Sequence, residues 1–179
     1  MQAITPLALL VILIFTATIC GCTYDNGNTG PEFGNAHEEL EISGPVAISL
    51  EESHDLFADF SREYMHRDPA GSIMKIIGLY AGTDGKALYW IFGTVENNVQ
   101  EYYEVSSGGV RPLIWEIPLE NDAIDIEGIV DPANLIMRTG HADGERTITI
   151  TGREIAITTK TEDGIMVGVF DAYTGDPVI

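Results

Sequence analysis

The apolar positions between residues 49 and 68 recur at intervals of three and four, which predicts one amphipathic helix of about four turns. Ser49 and Glu52 have the spacing of a capping box, so the helix is expected to begin there. Asp68-Pro69 is expected to end it, because a residue before proline is pushed out of helical geometry. The apolar positions of this helix are Leu56, Phe57, Phe60 and Tyr64.

After residue 72 the apolar period changes to two, which is typical of β-strands. We expect four strands, at 73–81, 87–95, 99–106 and 110–117. The pairs between them tolerate the positive φ of tight turns and are Asp84-Gly85, Asn97-Asn98 and Gly108-Gly109. The strands should therefore form an antiparallel meander, with Leu88, Trp90 and Phe92 beneath Phe57 and Phe60 of the helix.

A shorter version of the same pattern follows. Asp131-Pro132 predicts a helix start and Gly140 predicts its end. Strands are then expected at 146–151, 153–160 and 165–171, with turns at Thr151-Gly152 and Asp163-Gly164. The alternating apolar residues of these strands are Ile148, Ile150, Ile155, Ile157, Val167 and Val169. The chain is therefore predicted to be an α+β protein of two tandem units, 44–120 and 121–179, each with one helix packed on an antiparallel β-meander.

The N-terminal segment is apolar and has no charged side chain before Asp25. It ends in Ile19-Cys20-Gly21-Cys22, which resembles the lipobox of prokaryotic lipoproteins, with Gly21 as the cleavage position and Cys22 as the residue that receives lipid. Residues 1–21 are thus expected to be a signal peptide. An uncleaved anchor helix remains an alternative, because roughly 18 apolar residues can just cross a bilayer, and so does a buried core helix.

Residues 22–43 are polar and glycine-rich without apolar periodicity, which predicts a flexible tether. The folded part would then lie in the cell envelope, lipid-anchored on the outer face of the membrane. The chain has Lys+Arg 9 and Asp+Glu 28, a formal net charge of -19, so nucleic acid is not expected as a partner. Both cysteines lie in the signal region, which leaves the folded part no thiol for a disulfide, a zinc cluster or a nucleophile.

The closing segment resembles the last strand and turn of PepSY domains, which end in Asp-Ala-x-Thr-Gly-x-Val. The matching residues are Asp171, Ala172, Thr174, Gly175 and, after one extra residue, Val178. Residues 44–120 resemble the family more loosely and lack this turn. The resemblance implies a module that binds peptides or restrains a peptidase, and it carries over no catalytic residue. The residues themselves predict a turn in which Asp171 caps the backbone and Gly175 takes positive φ.

The candidate catalytic and metal-binding groups have poor geometry. Ser53-His54-Asp55 contains the side chains of a hydrolase triad, but helical neighbours point about 100° apart. Glu63 and His66 have the spacing of bundle metal sites but lack a second copy. Weak calcium binding remains open, through the carboxylates of Asp122, Asp125, Asp131, Asp143 and Asp176. We therefore expect no catalytic residue, cofactor or metal site.

The sequence favours a lipid-anchored binding module whose partners are the membrane, through the N-terminal lipid, and an extended peptide or a secreted peptidase. Sheet edges of such units could accept an added strand. The alternative is a structural envelope lipoprotein without a specific ligand. An enzyme comes third, because no convergent nucleophile, base and orienting group can be named.

The first prediction concerns the anchor. Cys22→Ala should release the protein from membranes or leave its signal uncut, because lipid attachment requires that cysteine. Membrane fractionation and intact mass would measure this. A membrane-bound chain with the mass of the unmodified full-length protein would contradict the lipoprotein hypothesis and favour the anchor helix.

Overall fold

The folded part is built on one antiparallel sheet with helices on one face. The computed structural model describes residues 44–67, 73–119, 122–140 and 143–178, so the predicted signal peptide and tether lie outside the described residues. The strands are β1 Ile73–Leu79, β2 Tyr89–Glu96, β3 Val99–Ser106, β4 Gly109–Leu113, β5 Glu145–Thr151, β6 Glu154–Thr161 and β7 Gly164–Asp171. Their order across the sheet is β4-β3-β2-β1-β5-β6-β7.

The helices begin where the sequence predicts. Helix α1 (Leu50–Phe60) has the Ser49 and Glu52 capping box, and helix α2 (Pro132–Thr139) has Asp131 as its cap and Pro132 in its first turn. Helix α1 continues as a π-helical turn and ends at His66, whose φ of 54° is left-handed, shortly before the predicted stop. Within the described ranges, no helix is long and apolar enough to span a membrane.

The two predicted meanders are joined into one sheet by β1. This strand pairs antiparallel with β2 on one side and with β5 on the other, from Lys75↔Thr151 to Leu79↔Thr147. The α+β class and the antiparallel sheet are confirmed. The tandem arrangement of two units is not confirmed, because β1 and β5 are paired strands of the same sheet.

A continuous apolar core lies between the helices and this sheet. The ring of Phe57 stacks on that of Phe92 at 5.0 Å between centroids, and Trp90 is fully buried beside them. This confirms the predicted packing of α1, although Leu88 precedes β2 and is only partly buried. The same core continues under α2 through Leu135, Ile136, Ile148, Ile150, Ile155 and Ile157.

A segment that follows β4 covers the opposite face of the first meander. Residues 114–117 were expected to extend the fourth strand, but β4 ends at Leu113. The alternating residues Trp115, Ile117 and Leu119 pack instead on Ile77, Ile91 and Tyr102 of the sheet. The Tyr102 hydroxyl donates to the carbonyl of Ile117, and Ile114 points away with 99% exposure. We call residues 114–119 the strap.

Arg67 fixes the end of the helical segment to the β2–β3 hairpin. Its guanidinium contacts Glu96 and donates to Glu101 Oε2 at 2.7 Å, and the Tyr103 hydroxyl donates to the same oxygen at 3.0 Å. The bond from Arg67 favours the ionised carboxylate and lowers the pKa of Glu101, while burial raises the pKa of Tyr103.

Trp90→Ala should lower the free energy of unfolding by roughly 3–5 kcal/mol, because it empties a fully buried site. It also leaves the carbonyl of Ile48 without the bond that Trp90 Nε1 donates at 2.9 Å. Denaturant unfolding would measure the loss, with Ile114→Ala as the control. The control should change stability by less than about 0.5 kcal/mol. A loss below about 1 kcal/mol for Trp90→Ala would contradict the core described above.

Candidate binding site at an open sheet edge

Among the described strands, β4 and β7 lie at the two edges of the sheet, and β4 has features that discourage further pairing. The two-residue turn before it makes Ser106 and Gly109 a hydrogen-bonded pair, so Val110 and Pro112 direct their backbone away from β3. Proline lacks an N–H. The neighbouring residue Arg111 is charged, and its Nε donates to Glu104 Oε1 at 2.8 Å. Proline and charge are common means of protecting an edge strand.

The other edge strand, β7, has backbone groups that point away from β6, and those near its end are already bonded. Asp171 N–H donates to the carbonyl of Asp176 at 2.8 Å, and Val178 N–H donates to the carbonyl of Val169 at 2.9 Å. These bonds run away from β6, so the odd-numbered residues of β7 face the free edge. Ile165 and Val167 therefore present both N–H and C=O there. Among the described residues, no strand pairs with β7 on that side before Val169.

The side chains along this open stretch are apolar. Ile165 is 69% exposed, Met166 44% and Val167 60%, and no proline or charged residue occurs between Gly164 and Phe170. The sequence pattern groups Val167 and Val169 with the four core isoleucines. The structure places them on the opposite face, because Met166, Gly168 and Phe170 are the residues of β7 that face the same side as Ile155 and Ile157.

A tight turn closes one end of the open stretch. Asp171 Oδ1 accepts the N–H groups of Tyr173 and Thr174, both at 2.9 Å, and Gly175 has a φ of 73°. Thr174 Oγ1 donates to Asp176 Oδ2 at 3.0 Å. The backbone bonds, followed by the ion pair with Arg153, lower the pKa of Asp171.

This turn is also a packing junction. Arg138 of α2 donates to the carbonyl of Gly175 at 2.6 Å, and Val130 N–H donates to the carbonyl of Ala172 at 2.8 Å. Asp125 N–H donates to the Tyr173 hydroxyl at 3.2 Å. The turn residues Asp171, Thr174 and Gly175 thus hold α2 and the segment before it against the end of β7, which is a structural role.

An acidic depression lies at the other end of the open stretch, beside the β6–β7 turn. It has a volume of about 960 Å³ and begins at Ile165 and Met166. Its lining includes one ammonium, that of Lys160, and the carboxylates of Asp143, Glu145, Glu162 and Asp163. The two ends of the edge therefore differ in charge.

The other residues singled out in the sequence do not converge on this edge. Gly21 and Cys22 lie outside the described residues. Ser53 is buried and its hydroxyl donates to the carbonyl of Leu50 at 2.7 Å, so it is engaged within α1. Asp125 and Asp131 cap helical turns. In the part of the chain that the structure describes, no group of three or more His, Cys, Asp or Glu side chains could hold a metal ion.

Chemically, the open stretch offers backbone donors and acceptors at regular spacing beside exposed apolar side chains. Such a surface can pair with an extended segment of another chain. The sequence predicts β7 but not its exposure, because a strand with apolar residues on both faces is typical of a buried strand. The available signal is the absence of proline and charge from 165–170, in contrast to Arg111 and Pro112 in β4.

The turn can be tested through its carboxylate. Asp171→Ala should lower stability more than Asp171→Asn, because asparagine keeps an acceptor for the two N–H groups. A carboxylate with a lowered pKa stabilises the fold above its unfolded pKa and loses that contribution as pH falls through its folded pKa. Denaturation midpoints between neutral and acidic pH should therefore fall less in Asp171→Asn than in the wild type. Parallel pH profiles would contradict this role.

Comparison with known proteins supplies no relative for this site: no family model, no curated protein and no solved structure matches the chain.

Proposed function

We propose that this protein is a lipid-anchored extracytoplasmic binding module that holds an extended peptide, or an exposed segment of an envelope peptidase, as an added strand beside β7. The observation that carries the proposal is the outward backbone of Ile165 and Val167 on an edge without proline or charge. The N-terminal lipobox resemblance supports the location, and the PepSY resemblance supports a peptide as ligand.

The geometry of β7 favours a ligand in strand conformation. Ile165 and Val167 each offer one donor and one acceptor, and Val169 adds an N–H beside the carbonyl that Val178 already occupies. Main-chain bonds of this kind give affinity with little sequence preference, while alternate side chains of the ligand meet the exposed apolar residues. Ile165 and Val167 lie on the face opposite the helices, so ligand side chains on that face would contact them.

The same features support binding without cleavage. The open stretch contains no hydroxyl, thiol or imidazole that could attack a carbonyl, since its residues from 164 to 170 are glycine, isoleucine, methionine, valine and phenylalanine. We therefore propose that the module restrains or presents its ligand and is not an enzyme.

We also propose that the chain is organised as two tandem helix-plus-meander units that contribute to one sheet. Helix α1 packs on β3 and β4 of the first meander, and α2 packs on β6 and β7 of the second. In this arrangement each helix covers the outer strands of its own half. The β1–β5 pairing then joins the inner strands of the two halves.

Val167→Pro should weaken binding of an extended peptide about tenfold or more, because it removes an outward N–H and leaves a ligand carbonyl unpaired. The measurement is fluorescence anisotropy of the full-length chain with labelled peptides that alternate valine and threonine. Val167→Thr is the matched variant, since it reduces the apolar surface but keeps the backbone N–H. It should bind the peptides more tightly than Val167→Pro.

Val110→Pro on the opposite edge is the second control. It also replaces an outward-directed residue of an edge strand, and it should leave binding unchanged. Both Val167 variants should unfold near the wild-type denaturant concentration, because Val167 is 60% exposed. Val110→Pro should unfold at a lower concentration, because Val110 packs against the core, so binding is compared where all three variants are folded. Equal effects at both edges would contradict the assignment to β7. If the wild type binds no peptide, the structural alternative is favoured. Turnover of a peptide would refute the non-enzymatic proposal.

A further inference from the structure

The charge distribution around β7 specifies the kind of segment that fits the open edge. We infer that the ligand is an extended segment whose alternating apolar residues are followed, on their C-terminal side, by lysine or arginine. This inference rests on the proposed function and adds the direction and charge of the ligand to it. Two observations carry it: the unequal charge at the two ends of the edge, and the path of residues 176–178.

Among the described residues, the carboxylates of the acidic depression outnumber its cations. Its four carboxylates belong to Asp143, Glu145, Glu162 and Asp163, and none of them is in an ion pair with another described residue. Among the described residues that line the depression, Lys160 supplies the one ammonium. Because Ile165 and Met166 line the same depression, a strand paired with Ile165 would place its next residues over these carboxylates. A cationic side chain there would be attracted, and an acidic one repelled.

The opposite end of the edge has two guanidiniums beside its carboxylates. Asp171 pairs with Arg153 at 3.2 Å, and the guanidinium of Arg138 lies beside Gly175. Asp176 accepts the Thr174 hydroxyl. A preference for cationic ligand residues is therefore expected at the end of β7 beside the β6–β7 turn. It is not expected at the end beside the Asp171 turn.

The direction of the ligand follows from the pairing already present. Residues 176–178 run antiparallel to β7, from Asp176 beside Asp171 to Val178 beside Val169. A ligand that continues this line in the same direction would pair antiparallel with Val167 and then with Ile165. Antiparallel pairing is also the more stable kind per residue. The C-terminal part of the ligand would then lie over the acidic depression.

The test uses the full-length chain and peptides that share one alternating valine and threonine core. One peptide carries two lysines after the core, one carries them before it, one carries two glutamates after it, and one carries two glutamines there. We expect the peptide with lysines after the core to bind about tenfold more tightly than the glutamine peptide at low ionic strength. This advantage should shrink as salt is added, because exposed charges are screened.

Charge-neutral variants separate a local effect from attraction by the acidic protein as a whole. The triple variant Glu145→Gln, Glu162→Gln, Asp163→Asn should remove the advantage of the lysine peptide and leave the glutamine peptide unaffected. Asparagine before Gly164 preserves the hairpin turn. The control Glu51→Gln, Asp55→Asn, Glu63→Gln changes the net charge equally on the exposed face of the helical segment and should keep the advantage.

The outcomes distinguish the two proposals. Binding of all four peptides with similar affinity would overturn this inference and leave strand addition at β7 standing. A preference for lysines before the core would also overturn this inference and leave strand addition standing. So would an equal loss of the lysine advantage in both triple variants. Failure of every peptide to bind would overturn the proposed function, and this inference with it.

Discussion

The pairing of β1 with β5 is the constraint on which the rest of the architecture depends. It joins residues 75–79 to residues 147–151 and makes both meanders parts of one sheet. Because the two inner strands lie side by side, Ile76 and Ile150 belong to one core that runs beneath both helices. The outer strands, β4 and β7, are thereby left as the two edges. The location of the open edge is thus a consequence of how the halves are joined.

The two faces of the sheet are covered unequally. The two helices and the segment before α2 bury one face of the sheet. On the other face the strap covers the first meander, and no other described segment packs there. Over the second meander that face presents Thr147, Thr149 and Thr158, with Val167 at the edge. Threonine suits such a half-buried surface, because its branched side chain favours a strand while its hydroxyl is polar. The open edge of β7 therefore borders a sheet face that no described element covers.

Local signals predicted the elements well and their long-range pairing poorly. Caps, turn pairs and apolar periods are properties of neighbouring residues, so α1, α2 and all seven strands could be located from the sequence. The β1–β5 pairing could not, because nothing in residues 73–79 distinguishes a strand paired on both sides from one at an edge. The strap shows the same limit, since Trp115, Ile117 and Leu119 have the period of a strand but lie across the sheet.

The candidate site follows the same division. The turn around Asp171 has a local signature, because its hydrogen bonds join residues two and three positions apart. The exposure of Ile165 and Val167 has none, since it depends on which strands lie beside β7. The acidic depression is intermediate: Glu162 and Asp163 are adjacent in sequence, but Asp143 and Glu145 reach them only through the β5–β6 pairing.

The composition of β7 has a consequence for strand register. A slip of one residue exchanges the two faces of a strand, and it is normally opposed because polar residues would enter the core. In β7 both faces are apolar from Ile165 to Phe170, so this opposition is weak. The fit against α2 supplies specificity instead, because a Cβ at position 168 would come within 2.5 Å of Thr139 Cγ2. Gly168 therefore favours the native register of β7 through its close fit against α2. The apolar character of the two faces of β7 does not distinguish this register from one shifted by a residue.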